Sequence, residues 1–207
     1  MKKSIVIIGK GPSVLKSTNS LIDSYDEVAI CNFPPIEGYE QYIGTRAKYH
    51  FLNAHDPNPY KKHILNSLGL EYMFNTHYAP HNGFPNTFPD HPVKYSNDYG
   101  EKRVPEFKRE HGFDPSTCIQ AFDYFVRREE YNIIGVVGFD FFKVGERGYY
   151  YDLKETQESH LYLYSNTTNT PFNLDGIRTK ENPHDSEKSE KFMKDMIKFY
   201  NKTLRVI

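Results

Sequence analysis

Residues 5–15 read "IVIIGKGPSVL": an aliphatic run, then Gly9-Lys10-Gly11-Pro12-Ser13, then a return to apolar side chains at Val14 and Leu15. An unbroken aliphatic run suits a strand buried on both faces, and the Gly-Pro turn hands the chain to a helix expected near 12–23. That βα unit sets the fold class. Gly9 and Gly11 let the backbone turn tightly and approach a ligand, while the helix start offers N–H groups to an anion. "GKGPS" is neither GxGxxG nor GxxxxGK[ST], so the turn alone assigns no phosphate.

Beyond this unit, "EVAICNF" (27–33) and "AKYHFLN" (47–53) read as two more strands running into polar loops. The stretch 54–113 is rich in Pro, His, Asn and Tyr and is expected to be irregular, with short elements such as "PYKKHILNSLGL". Ser116 or Thr117 can cap a helix whose apolar positions Ile119, Phe122, Phe125 and Val126 recur at helical spacing. "NIIGVVGFDFF" reads as a buried strand, and the polar, Tyr-rich segment 143–183 as lid-like loop. A terminal helix over 185–202 places Phe192, Met196 and Phe199 on one face, widened by Met193 and Ile197. The expectation is one α/β domain over 1–207. It is Rossmann-like, a mainly parallel sheet with helices on both faces and a loop-rich lid, and binds ligand beyond the strand C-termini.

With 26 Lys+Arg against 27 Asp+Glu, the chain has no global field to draw in nucleic acid or an anionic membrane. Its aromatics, 17 Tyr and 15 Phe, suit an ordinary core with hydroxyls at its rim as well as the walls of a polar cleft. Cys31 and Cys118 are the only cysteines, too few for a disulfide framework and without the spacing of a structural zinc site. A reducing cytoplasm is the expected compartment. The apolar run after "MKKS" is too short for a signal-peptide core, and no stretch approaches the roughly 20 apolar residues of a membrane helix. Peripheral attachment to a membrane stays open. The His and Asp spacings in "NAHDPNPYKKH" and "THYAPHN" fit no compact zinc motif, and no Asp-x-Asp pair is present. No metal and no cofactor are expected.

The order of the pieces resembles the small bacterial sialyltransferases of glycosyltransferase family 42. It runs strand-GxGPS-helix, strands ending in "CNF" and "FLN", "STC" opening a helix, "GFDFF", and a late "HDS". The resemblance runs from residue 4 to about 200 but skips the loops at 54–113. It implies an inverting, metal-independent transfer of sialic acid, or a related nonulosonic acid, from a CMP-activated donor to a glycan hydroxyl. By position, Gly9, Lys10, Gly11, Asn32 and Asn53 would meet the donor, as would Ser116 and Thr117 at the helix start and Gly138, Phe139, Asp140 and Phe142 at the later strand end. Cys118 replaces the family's glycine. Phe142 stands where the family has one of two tyrosines that stabilise the departing phosphate; the other matches Tyr149, with Tyr150 the fallback. His184 matches the general base. Lys10 replaces an amide, and its ammonium could compensate for the hydroxyl missing at Phe142. The other reading of Lys10 leaves it in solvent, as most lysines are.

Without the resemblance, Asn32 and Asn53 read equally as turn formers, Ser116 as a cap, and His184 as a residue preceding a helix capped by Asp185 or Ser186. Two rivals stay open: a pyrophosphokinase-like nucleotide-binding α/β protein, and a non-catalytic CMP-sugar-binding relative. Family members are often tetramers, so a homo-oligomer is also open. Acceptor, linkage and the particular sugar are not legible.

Overall fold

A computed structural model of the chain describes residues 2–32, 35–52, 68–76, 93–96, 99–141, 145–149, 177 and 184–207. The elements in chain order are β1 (Lys3–Ile8), a 3-10 turn (Pro12–Lys16), α1 (Asn19–Asp23), β2 (Glu27–Cys31), α2 (Glu40–Ile43), β3 (Tyr49–Leu52), β4 (Tyr72–Asn75) and β5 (Lys94–Ser96). A π-helical turn (Tyr99–Arg103) leads into α3 (Val104–His111), followed by α4 (Thr117–Val126), β6 (Tyr131–Val137), α5 (Ser186–Phe199) and β7 (Thr203–Val206). The strands form one sheet in the order β5-β4-β3-β2-β1-β6-β7. Every neighbouring pair in it is parallel.

The aliphatic runs are continuous because both faces of the sheet are covered. In β1, Val6 and Ile8 point into a core shared with Val14, Ile22, Val28, Ile30 and Ile43, under α1 and α2. Ile5 and Ile7 point the other way, into a core shared with Phe107, Phe122, Phe125 and Phe192 from α3, α4 and α5. This is the period-2 alternation of a strand with an apolar partner on each side.

Several expectations need correction. The helix expected over 12–23 is broken: the 3-10 turn ends at Ser17, which is extended and donates its hydroxyl to the Tyr42 carbonyl at 2.8 Å. Thr18, also extended, then caps α1 by accepting from the Leu21 amide at 3.3 Å. Ser and Thr thus offer the backbone local partners that compete with helix continuation. The span 54–113, expected to be irregular, contains β4, β5, the π-helical turn and α3. Of "PYKKHILNSLGL" (59–70), residues 68–70 are described. The edge strand β7 was not expected. Phe199 is not on the packed face of α5; it is 78% exposed and meets Tyr200 edge-on, while Phe192, Met193 and Met196 are buried. Among the described residues, its ring has only this neighbour as an aromatic partner. Of the lid-like span 143–183, residues 145–149 and 177 are described, joined by an antiparallel bridge between Arg147 and Ile177.

At the N-terminal ends of the strands a polar knot holds the sheet together. Glu27 accepts from Lys3 and Lys48, both at 2.8 Å to Oε1, and from Tyr49 and Tyr131 at Oε2. Among the described residues no helix is long and apolar enough to cross a membrane.

Candidate functional site

The chain lays β2 to β5 on one side of β1 and β6 and β7 on the other, so the sheet order reverses at β1. In open parallel sheets ligands bind in the crevice outside the strand ends at this point. The segments meeting there are Gly9–Ser13 after β1 and Gly138–Phe141 after β6, and they are interlocked. Gly9 N donates to Val137 O at 2.8 Å, Gly11 N to Gly138 O at 3.0 Å and Gly138 N to Ser13 Oγ at 3.2 Å. Ser13 N donates to Asp140 Oδ2 at 2.9 Å.

This contact explains the glycines and corrects the reading of the turn. A Cβ on Gly11 would lie 1.9 Å from Asp140 Oδ2, and one on Gly9 would lie 2.4 Å from Gly138 O. Gly138 itself has φ +71°, which an L side chain resists. The amide expected to serve an anion at this turn is already bound, and the anion is the protein's own Asp140 carboxylate. A second phosphate-sized anion would have to displace it.

Lys10, between the glycines, is 8% exposed, and its Nζ lies 4.6 Å from the centroid of the Tyr149 ring. An ammonium over an aromatic face is a cation–π contact, stronger when shielded from water. Lys10 therefore does not stand in solvent, and it meets the one described tyrosine that the sequence assigned to the leaving phosphate.

At the end of β2, Asn32 has φ 58°, which Asn tolerates better than most residues. Its amide donates to Phe51 O at 2.7 Å, its carbonyl meets Nε2 of the fully buried His50, and its Oδ1 accepts from Thr117 Oγ1 at 3.3 Å. Thr117 Oγ1 is also 3.4 Å from Thr76 Oγ1, and Thr76, just past β4, donates to Leu52 O at 3.0 Å. The ends of β2, β3 and β4 are thereby tied to the first turn of α4. Ser116 caps that helix, accepting from Ile119 N at 3.3 Å. The amides of Thr117 and Cys118, at the first two helical positions, have no intrahelical acceptor.

His184 lies immediately before Asp185, the N-cap of α5. Its Nδ1 is 2.9 Å from the carbonyl of Asp114. A carbonyl can only accept, so Nδ1 carries the hydrogen and Nε2 is the basic nitrogen of the neutral ring. A small cleft of about 30 Å³ brings His184 together with Ser116, Cys118, Gly138, Asp140 and Phe141. Phe139 and Ser189 complete its wall.

The structure thus gathers Gly138, Phe139, Asp140, Ser116 and His184 around one cleft, with Gly9 and Gly11 packed against Gly138 and Asp140, Lys10 paired to Tyr149 and Asn32 to Thr117. Asn53, Phe142 and Tyr150 lie outside the described residues. Thr76 and His50 were missed; both support the strand ends, and the only signal for them is position, one residue past or inside a strand. That Cys31 and Cys118 share one core was missed too, since the two cysteines are far apart in sequence.

No protein-family model matches the chain. No curated protein matches it. Among solved structures it is similar to the sialyltransferase CstII from Campylobacter jejuni in complex with a substrate analogue, CMP-3FNeuAc, at 19% identity and TM-score 0.66, covering 100% of this chain and 81% of that one. It is similar to the monofunctional alpha-2,3-sialyltransferase Cst-I from Campylobacter jejuni, at 18% identity and TM-score 0.65, covering 99% of this chain and 75% of that one. A mammalian sialyltransferase in complex with Gal-beta-1-3GalNAc-ortho-nitrophenol matches at 16% identity and TM-score 0.56, covering 100% of this chain and 69% of that one. The chain has the α/β fold of these sialyltransferases, and the resemblance read from its sequence is met by its structure.

Proposed function

We propose that this chain, as a single domain over 1–207, is a glycosyltransferase that moves sialic acid or a related nonulosonic acid from a CMP-activated donor to a glycan hydroxyl. The observation that carries this is the placing of His184 in the crevice at the switch point, with its basic nitrogen defined by the bond to Asp114. In the proposed step the acceptor oxygen attacks the anomeric carbon as the bond to the CMP phosphate breaks on the opposite face, which inverts that centre. The acceptor proton passes to His184 Nε2. Lys10 leaves the Tyr149 ring for the departing phosphate, and Tyr149 donates its hydroxyl to the same group. Asn32, Asn53, Ser116, Thr117, Gly138, Phe139, Asp140 and Phe142 form the donor's surroundings.

A single phosphate leaves as CMP, and one lysine with a phenol meets its charge, so no metal enters the scheme. The pyrophosphokinase-like rival needs the glycine turn as a seat for a polyphosphate. Asp140 Oδ2 on the Ser13 amide disfavours that reading.

The test is release of CMP from a CMP-nonulosonate donor, with and without a panel of glycan acceptors and with EDTA. The proposal expects release that EDTA leaves unchanged. Loss with EDTA that magnesium or manganese restores would place a metal in the scheme. No release from any such donor, with CMP still bound, would favour the non-catalytic relative.

A further inference from the structure

Beneath the cleft the chain holds both of its cysteines against each other. Cys31 ends β2 and is fully buried; Cys118 is the second residue of α4, partly exposed, and lines the cleft. Both are free thiols, and both pack in the core on the same face of the sheet. The apposition is fixed independently by the residues beside them, since Thr117 Oγ1 donates to Asn32 Oδ1 at 3.3 Å. Residues 31–32 therefore abut residues 117–118. The Cys118 sulfur packs so closely on the end of β1 that a Cβ on Gly9 would lie 3.1 Å from Sγ. Two neighbouring thiols, one partly open to solvent and one sealed, are the arrangement of an attacked and a resolving cysteine.

We propose that Cys31 and Cys118 form a reversible dithiol–disulfide couple, oxidised by a hydroperoxide and reduced by small thiols, whose closure reshapes the cleft wall. Cys118, the partly exposed thiol, attacks hydrogen peroxide; the O–O bond breaks, water leaves (an alcohol, for an organic hydroperoxide), and Cys118 becomes a sulfenic acid. The Cys31 sulfur then attacks the Cys118 sulfur, the S–O bond breaks, and a second water carries away the hydroxyl with the Cys31 proton. The two thiols have lost two electrons and the peroxide has gained them. Burial, and then the neighbouring Cys118 thiol, push the Cys31 thiol up, which fits it to the role of the protonated partner.

Bond formation draws the sulfurs to about 2.05 Å apart. Cys31 is held in the sheet, so the first turn of α4 moves toward it, taking Ser116 and Thr117 along. The consequence for CMP rests on the function proposed above; the couple itself does not.

The experiment treats the reduced full chain with hydrogen peroxide and follows intact mass, denatured thiol titration and melting temperature with and without CMP. The couple predicts a monomer lighter by about 2 mass units with both thiols lost and dithiothreitol restoring them. It also predicts no such product in Cys118→Ser or in Cys31→Ala, the first being at a partly exposed position. Thiols that both stay titratable, a disulfide-linked dimer, or a gain of about 32 mass units with one thiol still titrating would each overturn it. A disulfide that leaves the CMP response of the reduced protein intact would overturn the cleft effect. If even the reduced protein shows no CMP response, the donor reading fails while mass and thiol count still decide the couple.

Discussion

Lys10 is the residue at which this chain departs most from the pattern it resembles, and its surroundings give the departure a physical sense. An ammonium this shielded needs partners, and the Tyr149 face 4.6 Å away is one of them. Lys10→Asn should weaken CMP binding and slow transfer, and adding Phe142→Tyr should restore part of the loss; titration calorimetry and initial rates on the two variants check this. Purely additive effects would separate the two positions. His184→Ala should lower the transfer rate by roughly 10² to 10⁴ while CMP affinity, measured by calorimetry, stays near wild type. Unchanged turnover would remove the base assignment. The types of these residues were legible in the sequence, but their contacts were not. That Lys10 lies under Tyr149, or that Asp140 takes the Ser13 amide, depends on which distant segments the sheet order brings together.

Among the elements, the interlock of the turns after β1 and β6 sets the crevice. Gly11→Ala should expel the Asp140 carboxylate, because nothing else can give at 1.9 Å. A loss of about 2 kcal/mol or more in chemical denaturation is expected, with Asp140→Ala in the same chain recovering part of it. At the opposite strand ends, burial alone would raise the Glu27 carboxyl, but hydrogen bonds from Lys3, Lys48, Tyr131 and Tyr49 outweigh it and hold the group down from 4.5 to about 2. A carboxyl lowered on folding stabilises fully above its unfolded value and loses that contribution as pH falls toward the folded one. Stability should therefore drop between about pH 4.5 and 2. Glu27→Gln should flatten this limb and cost up to about 3 kcal/mol at neutral pH, as denaturant melts across pH would show. Neither feature was legible, since both are long-range. The strands β1, β2, β3 and β6 were legible, because aliphatic runs buried on both faces leave an unmistakable pattern. The 3-10 break at Ser17 was not, because a hydroxyl's choice between helix and Tyr42 is made only once α2 is in place. Nor were β5 and β7, which are short edge strands with too few buried side chains to mark them.

For the whole molecule, the all-parallel sheet with its reversal at β1 places every assigned strand end at one edge, which is why the order of motifs carried more information than any one of them. The fold is shared with the Campylobacter and mammalian sialyltransferases at 16% to 19% identity. The proposed chemistry stands or falls on whether this edge recognises a cytidine monophosphate unit. The decisive measurement is the melting temperature of the reduced protein with CMP, UDP, ADP and ATP at matched concentrations, each with and without magnesium, since a ligand stabilises according to its occupancy of the folded state. The largest shift is expected for CMP, unaffected by magnesium. A larger shift for UDP, or for ATP with magnesium, would refute a cytidine monophosphate site at this edge.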